Sequence, residues 1–213
     1  MGPEFLMPSH RRIILASASP ARSRLLQASG IRAEVLVSGV NEEDPALNDL
    51  TPSELVIALA IMKAHTVRAK ISDKNALIIG CDSTFEYEGK SIGKPGSVEN
   101  SIALTHKLSG QSGYLHTGHC VIDMVSGQEF SDISTSKVTF AHLSDGEIAA
   151  YANSGEPLNV AGGFTLDGLA APFIERIEGD PTGIIGLSLP LLRKAVRSLG
   201  LEWTDIAEMV VRP

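Results

Sequence analysis

Ala76-Leu77-Ile78-Ile79-Gly80-Cys81, followed at once by Asp82-Ser83, is the stretch on which the fold turns. An unbroken apolar run of this length reads as a strand covered on both faces, as inside an α/β sheet. The polar pair Asp82-Ser83 is expected to end that strand and to hold a carboxylate at the sheet edge. Upstream, Thr51-Pro52-Ser53-Glu54 is a capping box with proline at the first helical position, opening a helix to about Lys70. Further upstream, Arg12 to Ala16 is a short strand. The loop Ser17-Ala18-Ser19-Pro20 follows, then a helix capped by Ser19 and ended by Gly30, and a second strand from Ala33 to Val37. Downstream, short strands around Phe85 and Ile92 flank Glu88-Gly89-Lys90, and a helix covers Val98 to Leu108. Strands at Gly113 to Met124 and Glu129 to Ala141 form a long hairpin. Ser144 caps a helix to Asn153, and a strand near Pro172 to Ile177 and a helix from Leu187 to Leu199 complete the chain. Strands alternating with helices, plus one hairpin, predict a mixed, twisted α/β sheet flanked by helices.

The 213 residues are 43% apolar and 20% charged, enough to bury a sizeable core and unlike a disordered chain. A net charge of −7 leaves no basic stripe for a polynucleotide or an anionic membrane, and 5% aromatics offer little base stacking. A small phosphorylated ligand needs only a few placed cations and stays within reach. No apolar run approaches the ~20 residues of a membrane span. Met1-Gly2-Pro3-Glu4-Phe5-Leu6 lacks the character of a signal peptide, and a second Met stands at Met7. Residues 1–8 are therefore read as a cloning remnant with a disordered start, 9–213 as one domain, and the cytoplasm as its compartment. Cys81 and Cys120 sit in apolar runs and read as buried free thiols.

Ligands of α/β sheets collect where strands end and helices begin. Ser17, Ser19 and Arg22, at the first such junction, suit an anion through hydroxyls, free helix N–H groups and a guanidinium. An ordinary capped helix with surface arginines is the other reading. Asp82 suits Mg²⁺ or proton transfer from water, or else the capping of a turn. Lys63, on a largely apolar helix, either snorkels to solvent or points at a bound anion. Lys94, in Gly93-Lys94-Pro95, means little alone. Glu42, with Glu43 and Asp44, is either a solvated loop or the partner of Asp82 in a hard-cation site. His116 and His119, three apart on a strand, are expected to face opposite sides. The motifs of zinc proteases, α/β-hydrolases, P-loops and dinucleotide-binding folds do not occur.

In order and spacing, Leu15-Ala16-Ser17-Ala18-Ser19-Pro20-Ala21-Arg22, Leu59-Ala60 with Lys63-Ala64, Gly80-Cys81-Asp82-Ser83 and Gly93-Lys94-Pro95 resemble the successive motifs of the Maf proteins. Lys107-Leu108-Ser109-Gly110, Gly155-Glu156-Pro157-Leu158, Ala161-Gly162-Gly163-Phe164 and Ile185-Gly186-Leu187 continue the resemblance, which runs from Arg12 to Leu199. It implies a fold similar to the inosine-triphosphate pyrophosphatases, with two lobes and a central cleft. It also implies hydrolysis of nucleoside triphosphates between the α and β phosphates, giving a monophosphate and pyrophosphate. A divalent cation, Mg²⁺ or Mn²⁺, and a homodimer come with it. By resemblance Asp82 is the proton acceptor, Ser17, Arg22, Lys63 and Lys94 bind phosphate, and Glu42 helps to hold metal or water.

Two positions depart from the family pattern. Ala21 stands where the family often has a first arginine, so one phosphate contact is missing or comes from elsewhere, with Arg24 the nearest source. Asp167 stands where the dTTP- and UTP-preferring subgroup has glutamine, so an anion replaces an amide at the substrate, altering base selection or adding a metal ligand. The base therefore stays open between dTTP or UTP and modified or non-standard nucleotides. The family's link to septum formation gives another class of function: a weakly active nucleotide-binding regulator of cell division.

Overall fold

The computed structural model describes residues 11–209; the remnant expected at 1–8 lies outside them. The order is β1 (Arg12–Leu15), α1 (Pro20–Ala28), β2 (Ala33–Val35), α2 (Pro52–Lys70), β3 (Ala76–Tyr87), β4 (Lys90–Ile92), α3 (Val98–Leu108), β5 (Ser112–Asp123), β6 (Glu129–Phe140), α4 (Asp145–Asn153), β7 (Ile174–Glu178), α5 (Pro181–Ile185) and α6 (Leu189–Ser198). The strands form one mixed sheet in the order β2-β1-β3-β5-β6-β7, with β4 paired to β3. The β2, β1 and β3 strands are parallel, and the remaining pairings are antiparallel.

One expectation needs correction. Asp82 does not end a strand: β3 continues through Asp82-Ser83-Thr84 to Tyr87, absorbing the separate strand expected around Phe85. The cause is its partner, because β5 pairs with β3 from Leu77↔Asp123 to Glu86↔Tyr114 and carries the polar segment along. The opposite edge is interrupted. Pairing with β1 stops at Leu15↔Ile79, and β4 begins only at Phe85↔Ile92. Asp82 therefore lies in a gap between two neighbours of one long strand.

Alternation along β3 divides the core. Leu77, Ile79 and Cys81 pack with Leu15, Leu26, Leu187, Leu192 and Val196 beneath α1 and α6. Ile78 packs with Ile14, Ala60, Ala64 and Val67 beneath α2. Beyond the gap, Phe85, Phe140 and Phe164 meet edge to face, with centroids 5.1–5.8 Å apart, in the core of a second lobe. The three long strands run through both lobes, with the gap in β3 between them. The two cysteines are free and buried, and among the described residues no helix is long and apolar enough to cross a membrane.

The long helix α2 begins at the expected capping box of Thr51 and Glu54. It lies close on the sheet because Gly80 and Gly118 present no side chain beneath it. A Cβ on Gly118 would stand 2.2 Å from the Val56 carbonyl oxygen, and one on Gly80 2.3 Å from that of Ala60. Gly118→Ala is thus expected to lower stability by about 1–3 kcal/mol or more through overpacking, measured by urea unfolding; an unchanged midpoint would mean that α2 lifts away freely.

His119, fully buried on β5, joins that strand to the start of α6. Its Nδ1 donates to the Thr117 carbonyl (3.0 Å), and its Nε2 accepts the Ser188 N–H (2.9 Å), which requires a neutral ring. Burial, foremost, lowers its pKa from 6.5 to about 4. Between those values the unfolded chain holds a proton that the folded chain excludes, so stability falls as pH falls. The contribution is on the order of 3 kcal/mol over the window. Urea titrations between pH 7 and 4 should show a shallower loss in His119→Gln than in the parent; equal slopes would remove His119 from the account.

Candidate active site

The gap along the edge of β3, between β1 and β4, gathers residues that lie far apart in the chain. Lys63, reaching down from α2, places Nζ 2.6 Å from Asp82 Oδ1 and 2.6 Å from Glu42 Oε1. The lysine is neither snorkelling nor free: it is buried, and it bridges two carboxylates that the sequence keeps far apart. Of the acidic loop, Glu42 alone joins it; Asp44 caps the turn Pro45–Leu47 through the Ala46 N–H, and Glu43 is exposed. Lys94, just past β4, lies close enough for its charge to act on Glu42.

The two carboxylates share one ammonium yet shift in opposite directions. Burial, the larger effect, raises the Asp82 carboxyl above its ordinary value, against the charge and hydrogen bond of Lys63 and the charge of Arg22; the Glu42 charge adds to the rise. Glu42 feels burial too, but Lys63, Lys94 and Arg22 outweigh it and hold its carboxyl low. Solvent explains the difference, since the Glu42 side chain is 52% exposed and that of Asp82 13%. A carboxylate with raised proton affinity beside one held ionised is an arrangement suited to general-base work.

Arg22 fills the other side of the gap. It is buried, at 7% exposure, and its guanidinium is fixed by neutral groups: Nε donates to the Gly186 carbonyl (2.7 Å), Nη1 to Ser17 Oγ (2.8 Å) and Nη2 to Ser83 Oγ (3.0 Å). Among the described residues it has no carboxylate partner. A guanidinium has five N–H donors, so each terminal nitrogen keeps one unspent. Ser17 Oγ accepts from Arg22 and from the Ser19 N–H (3.2 Å), which leaves its own proton to give. Ser19 caps α1 as expected. A buried cation hydrogen-bonded only to neutral groups, with Asp82 and Glu42 acting on it from beyond hydrogen-bond reach, beside a free hydroxyl and a helix N-terminus, suits an anion.

Asp167 does not join this group. Its Oδ2 lies 3.0 Å from Nη2 of Arg24, so the arginine nearest to Ala21 in the sequence after Arg22 is paired across the lobes with Asp167. The loop carrying Asp167 is held by Glu156, which accepts from the Thr165 hydroxyl and the Leu169 N–H (2.9 Å). His116 and His119 face opposite sides: His116 meets Glu86 and Thr135, whereas His119 belongs to the core under α6. Of the three groups that hold Arg22, sequence reasoning finds Ser17 and misses the other two. Ser83 and Gly186 lie inside quoted motifs without drawing notice, and Thr117, the cross-strand neighbour of Ser83, carries no local signal.

Among the described residues no cluster of three or more His, Cys, Asp or Glu side chains is arranged to hold a metal by itself. Asp82 and Glu42 nonetheless form a donor pair of the kind that Mg²⁺ uses when substrate phosphates supply the remaining oxygens.

Known proteins resemble the chain along nearly its whole length. The chain is 50% identical over 196 residues to a nucleoside triphosphate pyrophosphatase of Streptomyces coelicolor, covering 92% of this chain and 94% of the relative. A protein of that name from Salinispora tropica is 47% identical over 92% of this chain and 87% of its own. Another, from Thermosynechococcus vestitus, is 46% identical over 91% and 96%. The model of the Maf-like proteins matches residues 12–199, a span that holds every residue of the gap, and the chain belongs to that family.

Proposed function

We propose that this protein is a nucleoside triphosphate pyrophosphatase, a hydrolase that attacks the α-phosphorus with water and releases a nucleoside monophosphate and pyrophosphate. The reading rests above all on Arg22, a buried guanidinium held by neutral groups and open to an anion. In this reading the phosphates lie against Arg22, Ser17 and Lys94, where fixed donors oppose the charge that builds on the leaving pyrophosphate. Asp82 takes the proton of the attacking water. Its Oδ1 is engaged by Lys63, so Oδ2 is the oxygen available for that proton. Lys63 keeps Asp82 and Glu42 in place, and Glu42, ionised at the rim, orients the water. A bound Mg²⁺ or Mn²⁺ would supply charge neutralisation at the phosphates, held by Glu42 and the substrate, with Asp82 as a further ligand only in the alternative in which the metal, and not Asp82, activates the water. Asp167, tied to α1 two residues beyond Arg22, is assigned to the nucleoside end. A cytoplasmic enzyme that clears non-standard nucleotides, working as a homodimer, completes the reading.

Pyrophosphate release from a panel of canonical and modified triphosphates, with Mg²⁺ or Mn²⁺ and after chelation, tests it and selects the base. Tight triphosphate binding with no release under any condition would instead favour the nucleotide-binding regulator. Asp82→Asn is expected to lower kcat by about 10²–10⁴-fold while Lys63 keeps Glu42 as a partner; wild-type turnover in that variant would overturn the role of Asp82. The raised Asp82 carboxyl also gives kcat/KM a limb that falls as pH drops through a value higher than that of an ordinary aspartate, because only the ionised form accepts a proton. Asp82→Asn should lack that limb in its residual rate.

A further inference from the structure

Ser83 Oγ stands 2.8 Å from Thr117 Oγ1, and Thr117 Oγ1 donates to the Gly183 carbonyl at 2.8 Å. A hydroxyl has a single proton. That of Thr117 is spent on Gly183, so Ser83 must be the donor between the two hydroxyls. The lone pairs of Ser83 are thereby turned to the Arg22 Nη2, which donates to them at 3.0 Å. The hydrogen bonds thus run one way, from Arg22 through Ser83 and Thr117 to the Gly183 carbonyl. Ser17 differs here, because its proton remains free for an anion.

The far end of this chain is rigid. Gly183 lies in α5, whose N-cap Asp180 accepts from the Thr182 and Gly183 N–H groups. Just beyond it, Gly186 supplies the carbonyl that receives Arg22 Nε, at φ 126°, where a side chain is rarely tolerated. The next turn is tied to β5 by His119, which holds both the Thr117 carbonyl and the Ser188 N–H. Thr117 itself is fully buried, with no route to a ligand of its own.

We infer that Thr117 is a positioning residue for Arg22: it fixes the direction of the Ser83 hydroxyl and so aims the guanidinium at the phosphates. The inference rests on the proposed binding of phosphate at Arg22. It assigns Thr117 no contact with substrate. Without its hydroxyl, Ser83 is free to turn its proton toward Arg22, and the guanidinium loses an acceptor that holds its plane.

The test measures pyrophosphate binding by calorimetry in Mg²⁺, together with kcat and KM for whichever triphosphate the panel selects. Thr117→Val is expected to weaken pyrophosphate binding and lower kcat/KM by about three- to tenfold, the range of one net hydrogen bond. Thr117→Ser, which restores the donor, should stay within about twofold of the parent on the same scale. In an Arg22→Ala background Thr117→Val should change neither quantity further, because the group that it aims is gone. Equal losses in the Val and Ser variants, or a full additional loss in the Arg22→Ala background, would overturn the inference. Should Thr117→Val fail to fold, Ser83→Ala breaks the same chain at its middle, and its loss must likewise vanish without Arg22. The pyrophosphate measurement needs no turnover. A parent that binds pyrophosphate with this pattern but releases none from triphosphates would sink the enzymatic reading and leave the role of Thr117 intact.

Discussion

Strand β3 is paired on one edge along nearly its whole length and on the other only at its two ends. That asymmetry governs the architecture. Continuous pairing with β5 makes a single rigid rod of residues from both lobes. The interruption leaves the middle of the rod without a neighbouring strand, although its side chains still alternate as in any sheet. Asp82 and Ser83 are consecutive, so they project to opposite faces. Asp82 meets Lys63 from α2, and Ser83 meets Arg22 from α1. A ligand in the gap can touch both, because no strand intervenes at that edge. Consecutive residues of an interior strand, paired on both sides, would have no such common neighbour.

The charges there are costly, and their arrangement shows how the cost is met. Lys63 and Asp82 are both nearly out of water, at 7% and 9% exposure. Burying such a pair is seldom a source of stability, and removal of either partner leaves an uncompensated charge. The raised Asp82 carboxyl says the same: burial outweighs the attraction of a lysine 2.6 Å away. Glu42 relieves the imbalance as a second, wetter carboxylate on the same ammonium. Arg22 feels Asp82 and Glu42 only through their charge, and its three hydrogen-bond acceptors are all neutral. A group so placed gains most from an anion that arrives from outside. The protein tolerates that deficit because the neighbouring groups are fixed by structure they would have in any case, namely the β1–α1 junction, the body of β3 and the turn after α5.

Much of the fold was legible because its cues are local. Capping boxes at Thr51 and Ser144 place α2 and α4 almost to the residue. The hairpin of β5 and β6 announces itself through its turn. What was hidden depends on partners distant in the chain. Asp82-Ser83-Thr84 is polar, and it is strand only because β5 lies alongside. The short helix α5 was absent from the reading, since five residues starting at a proline leave no periodicity to detect. Of the site, Asp82, Lys63, Glu42, Arg22 and Ser17 were each ambiguous alone and were raised by their order along the chain. Asp167 shows the limit of that reasoning: its place in a motif did not foretell its partner, Arg24, which lies on another element.

The same distinction separates the residues that would touch substrate from those that hold them. A side chain meant for a ligand keeps unspent donors or acceptors, and these follow from residue type and motif. A side chain meant to orient another has all of its valences used, and their direction emerges only once every proton is assigned. Ser17 and Ser83 illustrate it. Both are serines within hydrogen-bonding distance of Arg22, and as sequence they look alike. Ser17 keeps its proton because its two known neighbours are both donors. Ser83 gives its proton up because Thr117, across the ladder, has already given its own to Gly183. The anion seat is therefore defined from beneath as well as from the cleft. Donors on the cleft side stay available because the acceptors behind them are carbonyls in rigid turns, and that is what keeps an unpaired guanidinium aimed in one direction.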